Sequence, residues 1–290
     1  MPPPPRVEDY DTFIFDCDGV IWKGNKLISG AGKTLEYLRE AKKNVFFMTN
    51  NSLKTREECI AKFELMGVHI DPSHLLCSGF SAATYLRGLG FSHSEKKVYV
   101  IGEKSIVSEL NLQGIATIGG PDFNGVNVPI VNDLHVDTDE NIAAVVVGCD
   151  RDISYYKLLY AQQCFLKTPS CIFVASNTDQ VKHLTPTQEF AGAGAMVNAV
   201  IGCTGLRPVI TGKPSRFMID YLIDVHGIEP PRTLMVGDRL DTDIAFGVSG
   251  GTATCLVLSG CTARAQVEDP KCDIKPDFVV DSIAALLGTS

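Results

Sequence analysis

Short, nearly continuous apolar runs recur along the chain, and polar, helix-like segments separate them. Such runs are typical of strands that are covered on both faces, as in a parallel sheet, because a sheet with one wet face alternates apolar and polar residues. The alternation of strands with helices predicts a doubly wound α/β fold. The predicted strands are 11–16, 44–49, 97–102, 143–149, 171–176, 207–211, 233–237, 253–258 and 277–280.

The middle of the chain interrupts this pattern. Residues 119–141 are rich in Gly, Pro, Asn and Asp, which is typical of loops. A chain of 290 residues is also longer than one hydrophobic core usually supports. We therefore expect a Rossmann-like core formed by residues 1–82 and 208–290, with a parallel sheet, and a smaller α/β domain inserted at residues 83–207.

Composition and charge exclude several classes of protein. The net charge is −8, which argues against a nucleic-acid-binding protein held by phosphate contacts. No apolar run is long enough to cross a bilayer, and the N-terminus lacks the apolar region of a signal peptide. The ten cysteines form no CxxC pair and no zinc-finger spacing. These features predict reduced thiols in a cytoplasmic protein without membrane or nucleic-acid partners.

Polar side chains suited to phosphate chemistry follow four of the predicted strands directly. The carboxyl ends of parallel strands open on one edge of a sheet, and ligands bind there at the topological switch point. Residues far apart in sequence are therefore expected to converge on one small volume. They are Asp16 and Asp18, Thr49 with Asn50 and Asn51, Lys213, and Asp238 with Asp243.

Two carboxylates this close repel one another unless a cation lies between them. A hard divalent ion with oxygen ligands, Mg²⁺ by preference, would be held by Asp16, a backbone carbonyl near Asp18, and Asp238. We therefore predict a magnesium site at the end of the first strand.

The residue types also predict a reaction. A carboxylate can attack phosphorus and form an aspartyl-phosphate, and Asp16 is the candidate nucleophile. Asp18 is suited to protonate the leaving oxygen and then to deprotonate the attacking water. Asp243 is expected to orient Lys213 or metal-bound water. The remaining expected donors to the phosphoryl oxygens are Thr49, Asn50, Asn51 and Lys213 itself.

Four motifs in order resemble those of the haloacid dehalogenase (HAD) superfamily: DxDGV at 16–20, the Thr of FFMTNNS, GKP at 212–214 and GDRLDTD at 237–243. The phrases FDCDGVIW, GKPSRFM and DFVVDSIA are most similar to its phosphoglycolate phosphatase and 4-nitrophenylphosphatase group, with pyridoxal phosphatase as a near relative. The similarity covers most of residues 10–285. It implies a C2-type cap inserted between the second and third motifs, Mg²⁺, and a homodimer formed through the cap.

The same resemblance indicates where the cap would contact substrate. The segment 148–151 resembles the specificity loop of this group, and its Arg151 either meets a substrate carboxylate or caps the following helix. Pyridoxal phosphatase relatives carry a substrate-contacting His in a run that matches SNTDQVKHLTP. Lys182 or His183 stands at that point here, although His183 is equally well interpreted as an exposed loop residue.

These observations predict a Mg²⁺-dependent phosphomonoester hydrolase. The first expected substrate is 2-phosphoglycolate, followed by pyridoxal 5′-phosphate and then by a broad range of small phosphates. A hypothesis of another class is a non-catalytic sensor of phosphorylated ligands on the same fold, although a binder has no need of Asp18. A mutase is disfavoured because mutases of this superfamily usually carry a different, helical cap. Cys17 is interpreted as a buried core thiol, and Trp22 as a core or hinge residue.

Overall fold

The computed structural model describes residues 3–129, 134–182 and 188–288. The chain folds into two units. The first contains the chain up to Thr49, Glu58–Leu76, and the chain from Lys213 onward. The second contains Asn50–Glu57 and Cys77–Gly212.

Strands and helices alternate in both units, as the sequence predicts. Within the described residues the strands are β1 (Thr12–Phe15), β2 (Trp22–Lys23), β3 (Lys26–Leu27), β4 (Asn44–Thr49), β5 (Leu75–Cys77), β6 (Lys97–Ile101), β7 (Ala116–Gly119), β8 (Ile142–Val147), β9 (Ile172–Ala175), β10 (Val181–Lys182), β11 (Phe190–Ala191), β12 (Val209–Ile210), β13 (Thr233–Gly237), β14 (Ala253–Val257) and β15 (Phe278–Val280). The α-helices are α1 (Ala31–Glu40), α2 (Arg56–Leu65), α3 (Ser78–Gly88), α4 (Lys104–Leu112), α5 (Tyr155–Lys167), α6 (Ala193–Thr204), α7 (Phe217–His226), α8 (Ala245–Gly250) and α9 (Arg264–Glu268).

The first unit is built on a six-stranded sheet with the order β15-β14-β13-β1-β4-β5. Strand β1 pairs in parallel with β13 on one side and with β4 on the other. The chain runs outward from β1 through β4 and β5, and later returns to β13 and continues outward to β15. The topological switch point therefore lies between β1 and β13, where open α/β sheets bind their ligands.

Burial on both faces explains the continuous apolar sequence of the central strands. All four residues of β1 are buried, and so are all five of β13. Phe13 and Phe15 pack in one apolar cluster with Phe47 and Phe63. Each fully buried side chain of this size stabilises the fold by about 1.5–3 kcal/mol. The core thus fixes the strand ends that carry the polar motifs.

The second unit has its own five-stranded sheet with the order β12-β9-β8-β6-β7. Its four pairings are all parallel. Its described residues include an apolar cluster that contains Tyr99 and Tyr160 and another that contains Phe91 and Leu110. The predicted α/β class with parallel sheets is therefore confirmed. No helix in the described part of the chain is both long and apolar enough to cross a membrane.

Three details of the sequence prediction need correction. The predicted strand 207–211, which was expected to end at the same sheet edge as the other motifs, corresponds to β12 in the sheet of the second unit, so Lys213 does not follow a strand of the six-stranded sheet. Strand β7 was not predicted, because it is mostly half-exposed or exposed. Other short strands that were not predicted have only two or three residues each: β2, β3, β5, β10 and β11. The sequence also predicts a helix that begins at Pro214, but α7 begins at Phe217. Residues 213–216 precede it in a turn, and Lys213 at the start of this turn extends its side chain into the acidic cluster described below.

Candidate active site

The two strands at the switch point each deliver a carboxylate to the same edge of the sheet. Asp16 follows β1, and its backbone N–H donates to the carbonyl of Val236 in β13 at 2.9 Å. Asp238 follows β13 directly. Both aspartates are buried, with 8% and 2% of their surface exposed. The parallel pairing of β1 with β13 therefore brings together acids that are more than two hundred positions apart in sequence.

Lys213 connects three parts of the first unit. Its ammonium group donates to Asp16 Oδ1 at 2.6 Å, to Asp243 Oδ1 at 2.7 Å and to the carbonyl oxygen of Met48 at 2.9 Å. Two carboxylates and one backbone carbonyl therefore converge on a single ammonium group. Only 2% of Lys213 is exposed, and its position is therefore set by these three bonds.

Asp243 holds the lysine from the opposite side. Its Oδ1 accepts from Lys213, and its Oδ2 accepts from the backbone N–H groups of Asp238 and Arg239, both at 3.1 Å. Gly237 makes this approach feasible, because a Cβ atom there would lie 2.1 Å from the Cβ of Asp243. Asp243 thus orients both the lysine and the turn that carries Asp238.

Asp238 is surrounded by Gly19 of the first motif and by Gly260 and Cys261, which the sequence analysis did not identify. Its Oδ2 accepts from the backbone N–H of Cys261 at 2.7 Å. A Cβ atom at Gly260 would lie 1.9 Å from the same oxygen, and one at Gly19 would lie 2.4 Å from it. Gly19 also has a φ of +86°. The residues after β14, Ser-Gly-Cys, lie at the same sheet edge, so the rule that found the other motifs would also have identified them.

Asp16, Asp238 and Asp243 form an oxygen-only cluster. One carboxylate oxygen of each lies within 4.8 Å of the others. Burial raises the pKa of Asp16 well above its usual range, against the lowering effect of Lys213. Burial, with the charge of Asp243, raises the pKa of Asp238 to about 6. One lysine does not balance three acids, and carboxylate oxygens are the ligands that a hard divalent cation prefers.

The lysine itself stays charged. Burial alone would lower the pKa of Lys213, but the carboxylates of Asp16 and Asp243 outweigh this effect and raise it overall. The two anionic partners are therefore held against a permanent cation, which favours an ionised carboxylate at position 16.

Asp18 does not belong to this cluster. Its side chain is 55% exposed, and its Oδ1 accepts a hydrogen bond from Trp22 Nε1 at 2.8 Å. Cys17, between the two acids, is 1% exposed and packs in the apolar core. The interpretation of Cys17 as a core thiol is confirmed.

The predicted phosphate donors after β4 lie in different units. Thr49 is the buried last residue of β4 in the first unit. Asn50 and Asn51 belong to the second unit. The Asn50 amide donates to Asp179 Oδ1 at 3.0 Å, and Asn51 Oδ1 accepts from the backbone of Leu53 at 2.8 Å.

Arg151 forms an ion pair within the second unit. Its Nε donates to Glu103 Oε1 at 2.7 Å and its Nη2 to Oε2 at 3.2 Å. The alternative that Arg151 caps the next helix is wrong, because Ser154 is the N-cap residue of α5 and its Oγ accepts from the backbone of Lys157 at 3.3 Å. A buried ion pair at 2.7 Å between Lys157 and Asp150 anchors the loop that carries Arg151.

The other two predicted cap contacts lie at the edge of the described chain. Lys182 contributes its backbone to β10. His183 lies outside the described residues.

The chain is similar to known proteins over nearly its whole length. Family models described as haloacid dehalogenase-like hydrolase and HAD-hydrolase-like match residues 13–116 and 210–286. Phosphoglycolate phosphatase 1A, chloroplastic, of Arabidopsis thaliana is 47% identical over 97% of this chain and 77% of its own. Human glycerol-3-phosphate phosphatase is 37% identical over 97% and 91%. The structure of p-nitrophenyl phosphatase from Archaeoglobus fulgidus aligns with a TM-score of 0.82, 25% identity, and 96% and 98% coverage.

Together with the acid cluster at the switch point of the parallel sheet, these relatives indicate a hydrolase of phosphoric monoesters. The chain belongs to the haloacid dehalogenase-like hydrolases. The resemblance stated from the motifs, including its phosphoglycolate phosphatase and 4-nitrophenylphosphatase relatives, is therefore confirmed.

Proposed function

We propose that this protein is a Mg²⁺-dependent phosphatase that hydrolyses 2-phosphoglycolate through an aspartyl-phosphate on Asp16. The observation that carries the proposal is the buried cluster in which Lys213 bridges Asp16 and Asp243 beside Asp238. The choice of substrate is supported by the phosphoglycolate phosphatase of Arabidopsis thaliana, which is 47% identical to this chain.

The residues present fit a magnesium ion. Asp16, Asp238 and the backbone carbonyl of Asp18 would hold it, because they offer only oxygen ligands and because Gly19 and Gly260 leave room beside the Asp238 carboxylate. When bound, the ion would neutralise charge on the transferred phosphoryl group. A non-catalytic sensor would not need this ion together with the separate acid at position 18.

The chain's own residues perform the reaction in two steps. A carboxylate oxygen of Asp16 attacks phosphorus, the ester P–O bond breaks, and Asp18 donates a proton to the leaving oxygen. Asp18 then takes a proton from water, which attacks the phosphoryl group and releases Asp16 and inorganic phosphate. Lys213 opposes the effect of burial on the pKa of Asp16 and thereby favours its ionised form, and its ammonium group donates to the phosphoryl oxygens.

Further donors to the phosphoryl group in this proposal are Thr49, Asn50 and Asn51. The second unit acts as the inserted cap and selects the substrate, with Arg151 as the group that meets the substrate carboxylate. Lys182 or His183 is the second contact suggested by the family resemblance. Exposed apolar side chains of α5, including Tyr155 and Leu166, support a homodimer formed through this unit. A cytoplasmic location rests on the same composition as before, with ten cysteines of which seven are buried.

Phosphate release by the purified protein with Mg²⁺ tests the function. We expect kcat/KM for 2-phosphoglycolate to exceed that for glycerol 3-phosphate by at least about tenfold, which is about 1.4 kcal/mol of transition-state binding. These two substrates are compared because 2-phosphoglycolate carries a carboxylate that Arg151 could bind, whereas glycerol 3-phosphate has none. Pyridoxal 5′-phosphate is the third substrate.

Each alternative outcome of this assay assigns a different function. A preference for glycerol 3-phosphate would favour the activity named for the human relative, and a preference for pyridoxal 5′-phosphate would favour the other alternative. Similar values for all three substrates would indicate a broad phosphatase. Ligand binding without turnover of any ester would support the sensor.

Metal binding is measurable without turnover. We expect Mg²⁺ to raise the melting temperature of the wild-type protein, because an ion that binds only the folded state stabilises it. In Gly260→Ala the new methyl group displaces the Asp238 carboxylate, so the Mg²⁺ concentration at the midpoint of this shift should rise about 10- to 100-fold. Gly32→Ala is the matched control, since a Cβ there meets only Leu27 Cδ1 at 3.8 Å. An unchanged midpoint in Gly260→Ala would contradict the assignment of Asp238 as a ligand.

A further inference from the structure

The carboxylate of Asp18 is held by a side chain that the reaction does not otherwise use. Trp22 lies four positions further along the chain, and its indole N–H donates to Asp18 Oδ1 at 2.8 Å. Lys62 Nζ lies 4.0 Å from the same oxygen. An indole N–H is only a donor and an ammonium is a cation, so both groups attract this carboxylate.

The indole is itself fixed in orientation. Trp22 is 3% exposed, and its ring packs edge-on against Phe63 with 4.6 Å between ring centroids. The ammonium of Lys62 lies 4.1 Å from the centroid of the Trp22 ring, which is a cation–π contact. A core aromatic ring and a cation thus lock the direction in which the N–H points.

The backbone closes the same short turn. The N–H of Gly19 donates to the carbonyl of Trp22 at 2.7 Å, and the N–H of Trp22 donates to the carbonyl of Cys17 at 3.2 Å. Asp18 and Trp22 therefore belong to one turn that backbone hydrogen bonds hold together. A half-exposed aspartate without these contacts would exchange among several rotamers.

We propose that Trp22, with Lys62 stacked on it, positions Asp18 for proton transfer to the leaving oxygen. This proposal rests on the function proposed above, in which Asp18 is the general acid. Trp22 and Lys62 are positioning residues, since they act through Asp18. A purely structural Trp22 would fill the core and satisfy its N–H without any effect that depends on the leaving group.

The leaving group separates these two roles. An alkoxide, as from 2-phosphoglycolate, needs a proton to leave, whereas 4-nitrophenolate is weakly basic and leaves without one. The value of kcat/KM reports the steps up to phosphoryl transfer, so it contains the acid step and omits hydrolysis of the phospho-enzyme. A misplaced Asp18 should therefore lower kcat/KM for 2-phosphoglycolate and spare 4-nitrophenyl phosphate.

The experiment measures both substrates for Trp22→Phe and Lys62→Met. For Trp22→Phe we expect a loss of about tenfold or more with 2-phosphoglycolate and of less than about twofold with 4-nitrophenyl phosphate. Lys62→Met should change the ratio in the same direction by a smaller factor. Lys62→Met is a milder change for the fold, so it keeps the test valid if Trp22→Phe is unstable. Trp22 is the only tryptophan, so Trp22→Phe has no tryptophan fluorescence. Its folding is therefore measured by circular dichroism.

Two further variants complete the design. Asp18→Asn is the benchmark, and it should show the largest selective loss. Lys43→Met is the matched control: the Lys43 side chain is 15% exposed, against 14% for Lys62, and it donates to the backbone of Tyr10. Its substrate ratio should equal that of the wild type.

The outcomes are distinguishable. If Asp18→Asn lowers both substrates equally, the acid role in the proposed function fails. If Asp18→Asn is selective while Trp22→Phe and Lys62→Met leave the ratio unchanged, the positioning role is overturned and Trp22 is a core residue only.

Discussion

Replacing Asp16 with asparagine is expected to lower kcat by at least about 10⁴-fold, or about 5.4 kcal/mol, on every phosphate ester that the enzyme hydrolyses. An amide has the shape of the carboxylate but is a much poorer nucleophile, so the aspartyl-phosphate should not form. The fold should persist, because Lys213 keeps Asp243 and the Met48 carbonyl as partners. Steady-state phosphate release measures the loss.

The control for this variant is Asp11→Asn. Asp11 is a half-exposed aspartate of the same unit that pairs with Arg232, and its replacement should leave kcat within about twofold, as expected for a surface ion pair. Mass spectrometry of rapidly quenched wild-type protein should show the mass of one added phosphoryl group on the peptide that contains Asp16. Substantial turnover by Asp16→Asn would overturn the covalent mechanism.

Lys213→Met is expected to affect stability as well as activity. It leaves two buried carboxylates without their cation, which should lower the free energy of unfolding by about 3–5 kcal/mol in chelator at neutral pH. Loss of a donor to the phosphoryl oxygens should also reduce kcat by about 10²- to 10³-fold. Urea denaturation and phosphate release measure the two effects separately.

Two further variants serve as comparisons for Lys213→Met. Lys213→Arg keeps the charge, but a planar guanidinium does not match three acceptors that converge on one nitrogen. It should retain part of the stability and little of the activity. Lys43→Met removes a half-buried lysine with one backbone acceptor and should cost about 1 kcal/mol or less. If Lys213→Met were as mild as Lys43→Met, the bridging role of Lys213 would be wrong.

The fold class could be predicted from the sequence because strands that are buried on both faces form continuous apolar runs. The predicted strands 44–49 and 233–237 coincide with β4 and β13, since a strand covered on both faces must be apolar throughout. Strands β5 and β7 escaped prediction because they are short or largely half-exposed. Helix α7 begins later than predicted, because the turn that brings Lys213 to the acids occupies the positions before it.

The sequence by itself determined the α/β class, the family, and which acids lie at strand ends of the six-stranded sheet, because each of these depends on residue type at a fixed local position. Only the tertiary structure decided how these groups meet. The three acceptors of Lys213, the glycines around Asp238 and the pairing of Arg151 with Glu103 depend on strand order and on atomic positions that matter to a few tenths of an ångström. Such contacts join residues that local periodicity does not relate, since periodicity records burial and not the identity of a partner.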